Sequence, residues 1–278
     1  MLIWKGPGIG AFFIGGSAAA GELLMLKDEA GSGPILRDGL VWRATRPWTA
    51  NVHSLFGHLK QCGFPSAPRS AGYDENFERV TFIEGECGDL ASVQMRLDTV
   101  LTSPARLLHI YHDCSASFQG AAEGAWQLKP KPPFEVICHG DFAPYNVVMR
   151  DGKAIGIIDF EAAHPGPRLW DIAYAVYRWA PLSRHIAVEC IVMIEEQINR
   201  ARDFLDAYGL PADERAALPD LVIERLKGLV AFMEAEAARG SEKYARISKR
   251  AIIGFFAMTS ATSTFIGIKS RPDSWPLD

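Results

Sequence analysis

Several things are scarce in this 278-residue chain. There is no excess of basic residues: 29 Lys and Arg stand against 33 Asp and Glu, a formal charge of −4, which argues against a nucleic-acid partner. There are only five cysteines, at 62, 87, 114, 138 and 190. Their number is odd and none is spaced as CxxC, so neither a disulfide framework nor a zinc site is indicated, and a reducing cytoplasm is the expected location. No apolar run is long enough to span a membrane. The stretch from Lys5 through Ile14 to Ala20 has the outline of a signal peptide, but Gly10, Gly15 and Gly16 interrupt it, so the expectation is against one. Repeats and low-complexity segments are absent as well. What is abundant is apolar residue, 48 %, enough for a well-buried core in one large domain or two lobes.

The informative stretch runs from Val136 to Glu161, VICHGDFAPYNVVMRDGKAIGIIDFE. Val136, Ile137 and Cys138 read as a short buried strand, followed at once by a polar loop with His139, Gly140, Asp141 and Asn146. Asp151-Gly152 is a hairpin turn signal, and the apolar run Ala154 to Ile158 delivers Asp159, Phe160 and Glu161 at its end. A hairpin of this kind gathers Asp141, Asn146 and Asp159. Two oxygen donors among them suit Mg²⁺, and one carboxylate is left over to orient a hydroxyl.

Upstream, Gly31-Ser32-Gly33, Ile35 and Leu36, the turn Asp38-Gly39 and Leu40 to Arg43 predict a glycine-containing loop and a β-hairpin. The loop is either a phosphate cover or a plain turn. Arg43 either reaches a phosphate or is a solvated strand-end arginine. Thr49 is the expected N-cap of a helix with Val52, Leu55, Phe56 and Leu59 on one face, ended by Gly63. His53 and His58 on it are read as packed or surface residues. A strand is expected from Arg79 to Ile83, then a polar connector, Glu84-Gly85-Glu86. Leu107, Ile110, Tyr111, Cys114 and Phe118 keep helical spacing, and His109 and His112 within that run are read as packing rather than metal ligands. Beyond Glu161 a helix carries Leu169, Ile172, Val176 and Tyr177. Asp171 in its first turn is expected to hold neighbouring N–H groups. Trp170, Tyr174, Tyr177 and Trp179 are either core or pocket lining. Three more helices are expected: Ile186 to Tyr208, Pro219 to Arg239, and Glu242 to about Thr264.

HGDFAPYN at 139–146, IIDFE at 157–161, eighteen positions from the first aspartate to the second, and LWD at 169–171 resemble the aminoglycoside phosphotransferase and choline kinase-like family. The resemblance implies an α+β, protein kinase-like two-lobed fold. Residues 1–83 would form a small, nucleotide-covering N-terminal β lobe with a preceding extension, and 84–278 a larger, mainly helical C-terminal lobe with the catalytic loop and acceptor site. It implies Asp141 as the catalytic residue, Asn146 and Asp159 as Mg²⁺ ligands, and His139 and Asp171 as structural support of the site. ATP or GTP would lie against Arg43 and the hinge residues Phe82, Ile83 and Glu84. The family's usual strand lysine and helix acid are replaced here by Arg43 and, near the acid's expected position, His53. The expected activity is phosphoryl transfer to a hydroxyl of a small molecule. The alternative is a non-catalytic module that binds a nucleotide or metabolite, motivated by Arg43 and the sparse glycine loop. A metal-dependent phosphoesterase is disfavoured because the additional histidines and carboxylates of two-metal hydrolases are not concentrated here. Residues 181 to 278 hold 13 basic and 14 acidic residues, which gives no support for a polycationic acceptor.

Overall fold

The computed structural model describes residues 24–25, 33–88, 97–119, 124–180, 194–241 and 244. Gly31, most of the N-terminal extension, the start of the helix expected from Ile186 and most of the one expected from Glu242 lie outside the described residues.

An antiparallel sheet of five strands forms the N-terminal part: β1 (Leu24–Met25), β2 (Ile35–Arg37), β3 (Leu40–Ala44), β4 (Ser70–Tyr73) and β5 (Phe77–Thr81), in the order β1-β2-β3-β5-β4. The β2–β3 turn places Asp38 and Gly39 at φ 53° and 72°, the paired left-handed conformation that lets a two-residue hairpin follow the twist of its strands. Register does the rest. Leu36 faces Val41 and Val41 faces Val80, so three apolar side chains share the buried face. Two residues further along β3, on the same face, Arg43 stands opposite Glu78. The strand expected at 79–83 is observed at Phe77–Thr81, which leaves Ile83 in the connector.

Helix α1 (Thr49–Gln61) buries Val52, His53, Leu55, Phe56 and Leu59. Trp48 is its N-cap; Thr49 is the first helical residue, and its Oγ1 accepts the Arg46 N–H at 3.0 Å. The connector after β5 is sewn to the second half of the chain by reciprocal backbone bonds between Glu86 and Met149, at 2.8 and 2.7 Å.

The C-terminal part is mainly helical: α2 (Asp98–Ser115), α3 (Arg168–Trp179), α4 (Ile194–Tyr208) and α5 (Leu218–Ala238). Between α2 and α3 lie β6 (Val136–Cys138), the hairpin of β7 (Val147–Arg150) and β8 (Lys153–Ile157), and β9 (His164–Gly166), which pairs with β6. Helix α2 starts earlier than the spacing from Leu107 implied. Its buried face is Leu101, Ala105, Leu108 and His112, and Ile110 is 51 % exposed, so Ile110 does not belong to the apolar face. One apolar core runs from Val41, Val80 and Phe56 through Ile137, Val147 and Phe160 to Trp179, Phe204 and Leu226. Sheet and helices therefore share a core, which fixes the floor of the cleft between them.

Gly85 sits where the connector crosses the β7–β8 hairpin, and a Cβ there would meet Val148 Cγ1 at 2.5 Å and the Met149 carbonyl oxygen at 2.7 Å. The carbonyl belongs to the backbone pair with Glu86 and has no room to yield. We expect Gly85→Ala to lower stability by about 1–3 kcal/mol. Gly57→Ala, inside α1 with nothing within 4 Å of its Cβ position, is expected to raise it by about 0.5–1 kcal/mol. Urea midpoints of the two variants measured side by side check both signs.

Candidate active site

The loop after β6 turns sharply at Gly140, where φ is +79° and a Cβ would lie 2.2 Å from the Ala162 carbonyl oxygen. Asp171, fully buried on α3, holds this turn from below: Oδ2 accepts the His139 backbone N–H at 2.7 Å and Oδ1 that of Gly140 at 2.9 Å. His112 of α2 approaches the same carboxylate, Nε2 to Oδ2 at 3.0 Å, and its Nδ1 lies 2.8 Å from the Tyr208 hydroxyl. Burial by itself would raise the Asp171 pKa. The His112 contact, the field of His139 and the donated N–H groups outweigh it and hold the carboxylate at about 2. From α5, Arg225 donates to the Gly140 carbonyl at 2.6 Å while its guanidinium lies 4.7 Å from the Tyr174 ring centroid.

His139 is itself buried. Its Nε2–H donates to the Ile158 carbonyl at 3.0 Å, and Nδ1 accepts the Asp141 N–H at 3.3 Å. That pattern requires one proton on the ring, and burial depresses its pKa in agreement. Phe160 seats edge-on against His139, Phe56 and Tyr111, linking the loop to both α1 and α2.

Asp141 emerges from this base with its carboxylate well supplied. Tyr145 and Tyr174 each donate a hydroxyl to Oδ1 at 2.8 Å, and Asn146 Nδ2 donates to Oδ2 at 3.0 Å and to the Asp141 carbonyl at 2.9 Å. Because the amide nitrogen of Asn146 is committed to Asp141, its oxygen is the atom available to a cation. The Ile158 N–H donates to the Asn146 carbonyl at 2.9 Å, which locks the loop to the strand end that carries Asp159. Asp159 has φ 63° and ψ 67°, a left-handed conformation costing roughly 1–2 kcal/mol in an L-residue. This strain is borne at a carboxylate that already faces positive charge: Arg43 Nη1 lies 3.3 Å from its Oδ1. An amide oxygen and a carboxylate next to open space suit a hard divalent cation completed by phosphate and water oxygens. No cluster of three or more His, Cys, Asp or Glu side chains placed for a metal occurs among the described residues, so an all-protein cage is not the geometry on offer.

Arg43 is also paired with Glu78, Nη2 to Oε1 at 2.7 Å. Glu78 is in turn held by His53 Nε2 at 3.2 Å, and His53 Nδ1 lies 2.7 Å from the Ser70 hydroxyl. Burial disfavours the charge on Arg43, but Glu78, Asp159 and Glu161 more than offset it and raise its pKa. Glu78, buried as well, is held ionised below its ordinary pKa by His53 and Arg43 against the burial penalty. The acid that serves Arg43 thus comes from β5, and His53 of α1 braces it.

Above Arg43 and Asp159 opens an apolar cleft walled by Val41, Val80, Phe82, Ile83, Val148 and Ile158. Phe82 and Ile83 line it. Glu84 does not: it is exposed, and its carbonyl receives Arg150 Nη2.

Residues 98–219 match the model of the phosphotransferase enzyme family. The chain is 31 % identical over 201 residues to the trifolitoxin immunity protein of Rhizobium leguminosarum bv. trifolii, an alignment covering 67 % of this chain and 74 % of that protein. The chain belongs to the phosphotransferase enzyme family. Two solved structures show the breadth of the fold. A choline/ethanolamine kinase family protein from Mesorhizobium loti superposes with a TM-score of 0.59 at 11 % identity, covering 90 % of this chain and 92 % of that one. A streptomycin–ATP–APH(2")-IIa ternary complex gives 0.53 at 16 % identity, covering 82 % and 91 %. The phosphotransferase therefore has the protein kinase-like α+β fold, with an N-terminal sheet and a helical C-terminal part.

His112, Glu78, Arg225 and Tyr145 were not singled out for the site from the sequence. His112 carried a signal only as a buried position on α2, and Glu78 only as the residue that strand register sets opposite Arg43.

The depressed pKa of Asp171 fixes a sign for the phosphotransferase. The folded carboxylate titrates at about 2 and the unfolded one near 3.8, so its contribution is complete above pH 4 and is lost as pH falls from 4 towards 2. The linked amount is roughly 2 kcal/mol. Asp171→Asn is expected to destabilise by about 2–4 kcal/mol at pH 7, since one buried N–H then faces an amide NH₂. The gap from wild type should narrow between pH 4 and pH 2, as read from urea unfolding across that range.

Proposed function

We propose that the protein is a Mg²⁺-dependent O-phosphotransferase that moves the γ-phosphate of ATP or GTP onto a hydroxyl of a small molecule, acting in the cytoplasm without nucleic acid or membrane as partner. The observation that carries this reading is the junction of cleft and loop. Arg43 and Asp159 form the polar end of an apolar cleft, and Asn146 and Asp141 stand one hydrogen-bonded step away. In this reading residues 1–83 cover the nucleotide and 84–278 hold the catalytic loop and acceptor. The base stacks between the apolar walls near Phe82 and Ile83, and Arg43 meets the phosphates. Asn146 and Asp159 hold the cation, which neutralises charge on the transferring group. Asp141 orients the acceptor hydroxyl and takes its proton as the acceptor oxygen bonds to the γ-phosphorus. The bond from that phosphorus to the bridging oxygen breaks, and the nucleoside diphosphate leaves. His139 and Asp171 hold Asp141 in place through the loop backbone.

A second reading, a module that binds nucleotide or metabolite without turnover, is favoured by two contacts. Arg43 lies on Asp159, and two tyrosine hydroxyls occupy Asp141 Oδ1. Catalysis requires the acceptor to take the place of one of those hydroxyls, which costs at least that hydrogen bond and disturbs two buried rings that also carry Arg178 and Arg225.

Asp141→Asn separates the two. With Mg²⁺ and ATP or GTP, the wild type is expected to release ADP or GDP in the presence of an accepted alcohol. Asp141→Asn should reduce kcat by about 10²- to 10⁴-fold while keeping the nucleotide-dependent rise in thermal midpoint. A wild type that is stabilised by nucleotide yet phosphorylates no alcohol supports the binding module instead.

A further inference from the structure

Helix α3 puts a second arginine beside the candidate catalytic carboxylate. Arg178 follows Tyr174 by one turn and stacks over Tyr145, its guanidinium 5.0 Å from that ring centroid and 6.0 Å from that of Tyr177. Tyr145 and Tyr174 are the residues whose hydroxyls reach Asp141. The Nε of Arg178 is buried without a hydrogen-bond partner, and no carboxylate forms an ion pair with it among the described residues. The residue keeps partial exposure overall.

The other arginines of the interior have direct polar contacts, although the Nε of Arg43 and of Arg225 is unpaired like that of Arg178. Arg43 has Glu78 and Asp159, Arg225 has the Gly140 carbonyl, and Arg200 has the Trp179 carbonyl. Burying a cation without an anion is costly, and aromatic faces recover only part of that cost. Burial opposes the charge on Arg178, and the surrounding tyrosines with the field of Asp141 more than offset it and raise its pKa, yet no direct contact joins the guanidinium to that carboxylate. A guanidinium held by aromatic faces and the field of Asp141, with no direct carboxylate contact, is a seat for an oxyanion beside the group that would receive the acceptor hydroxyl.

We infer that the acceptor is an alcohol that also carries an anionic group, a carboxylate or a phosphate, and that Arg178 binds that group. This rests on the phosphotransfer reading and narrows it. The hydroxyl lies at Asp141 and the oxyanion at Arg178, so the substrate is a compact hydroxy acid or phosphorylated alcohol, and polycationic or quaternary-ammonium alcohols are excluded by charge.

The test uses the full chain with Mg²⁺ and ATP against two matched panels. One holds anionic alcohols (glycerate, lactate, glycerol 3-phosphate) and the other cationic ones (ethanolamine, choline, streptomycin). Transfer to a member of the anionic panel is expected. Arg178→Gln should then raise the KM for that acceptor by about 10- to 100-fold, more than it changes kcat, as loss of one charge-assisted pair predicts, with Arg178→Lys recovering part of the loss. A thermal melt of each variant establishes that it is folded, and Arg178→Lys alone carries the comparison if Arg178→Gln is not. Transfer confined to the cationic panel, or an acceptor KM unmoved by folded Arg178 variants, overturns the inference and leaves phosphotransfer standing. Transfer to neither panel, with nucleotide bound, overturns both.

Discussion

The arrangement at the loop depends on one buried carboxylate. Asp171 accepts two consecutive backbone N–H groups, those of His139 and Gly140, and so fixes the direction in which the chain leaves β6. A charge in that position is tolerable only because donors surround it, and His112, itself tied to Tyr208, supplies the third. Everything above inherits this geometry. The neutral tautomer of His139 links the loop to Ile158, and Ile158 links it to Asn146, so Asp141, Asn146 and Asp159 move as a unit. Helices α2, α3, α4 and α5 each contribute a side chain to that unit, through His112, Asp171, Tyr208 and Arg225, which makes the loop a product of the whole helical core.

The sheet side solves a different problem. A buried guanidinium needs a fixed anion, and in this chain the anion lies directly across the strand pair, Arg43 against Glu78 in register. A helix-borne acid is held through the rotation and translation of a helix; a cross-strand acid is held by the backbone ladder itself. His53 then occupies the helix position as a brace that reaches Glu78 Oε2 and Ser70. The arginine and its acid are thus both carried by the sheet. A planar fork can bridge Glu78 and Asp159 at once, which a single ammonium on a flexible stem does less well.

The parts of the site that were legible in the sequence are those made by short segments. The Asp38-Gly39 and Asp151-Gly152 turns, the strand before His139, and the spacing of Asp141, Asn146 and Asp159 each depend on a handful of adjacent residues, and each lies where that local chemistry put it. The parts that were not legible join distant segments. Arg225 reaches Gly140 across 85 positions and His112 reaches Asp171 across 59, and nothing in the vicinity of either residue distinguishes it from an ordinary helix-face residue. Ile110 failed for a related reason. Its spacing from Leu107 fits a helix, but the face that is buried was decided by α4 and β8 packing on α2, and Ile110 points away. Glu84 shows the same limit at the connector, where the cleft takes Phe82 and Ile83 and leaves the glutamate outside.

Two arginines stand around the Asp141 unit, and they differ in what they lack. Arg43 is already compensated by carboxylates, so under the proposed phosphotransfer a polyphosphate would compete with Asp159 for it, and a cation held at Asp159 would offset that competition. Arg178 has no direct carboxylate contact, only the field of Asp141 and aromatic faces, so an anion at that position would pair with it without first breaking a direct ion pair. In that reading the donor side would draw on a metal ion to admit its ligand, and the acceptor side would not. In the proposed reaction the acceptor hydroxyl would reach Asp141 only where Tyr145 or Tyr174 yields Oδ1, so the two tyrosines that cap the carboxylate would also control access to it.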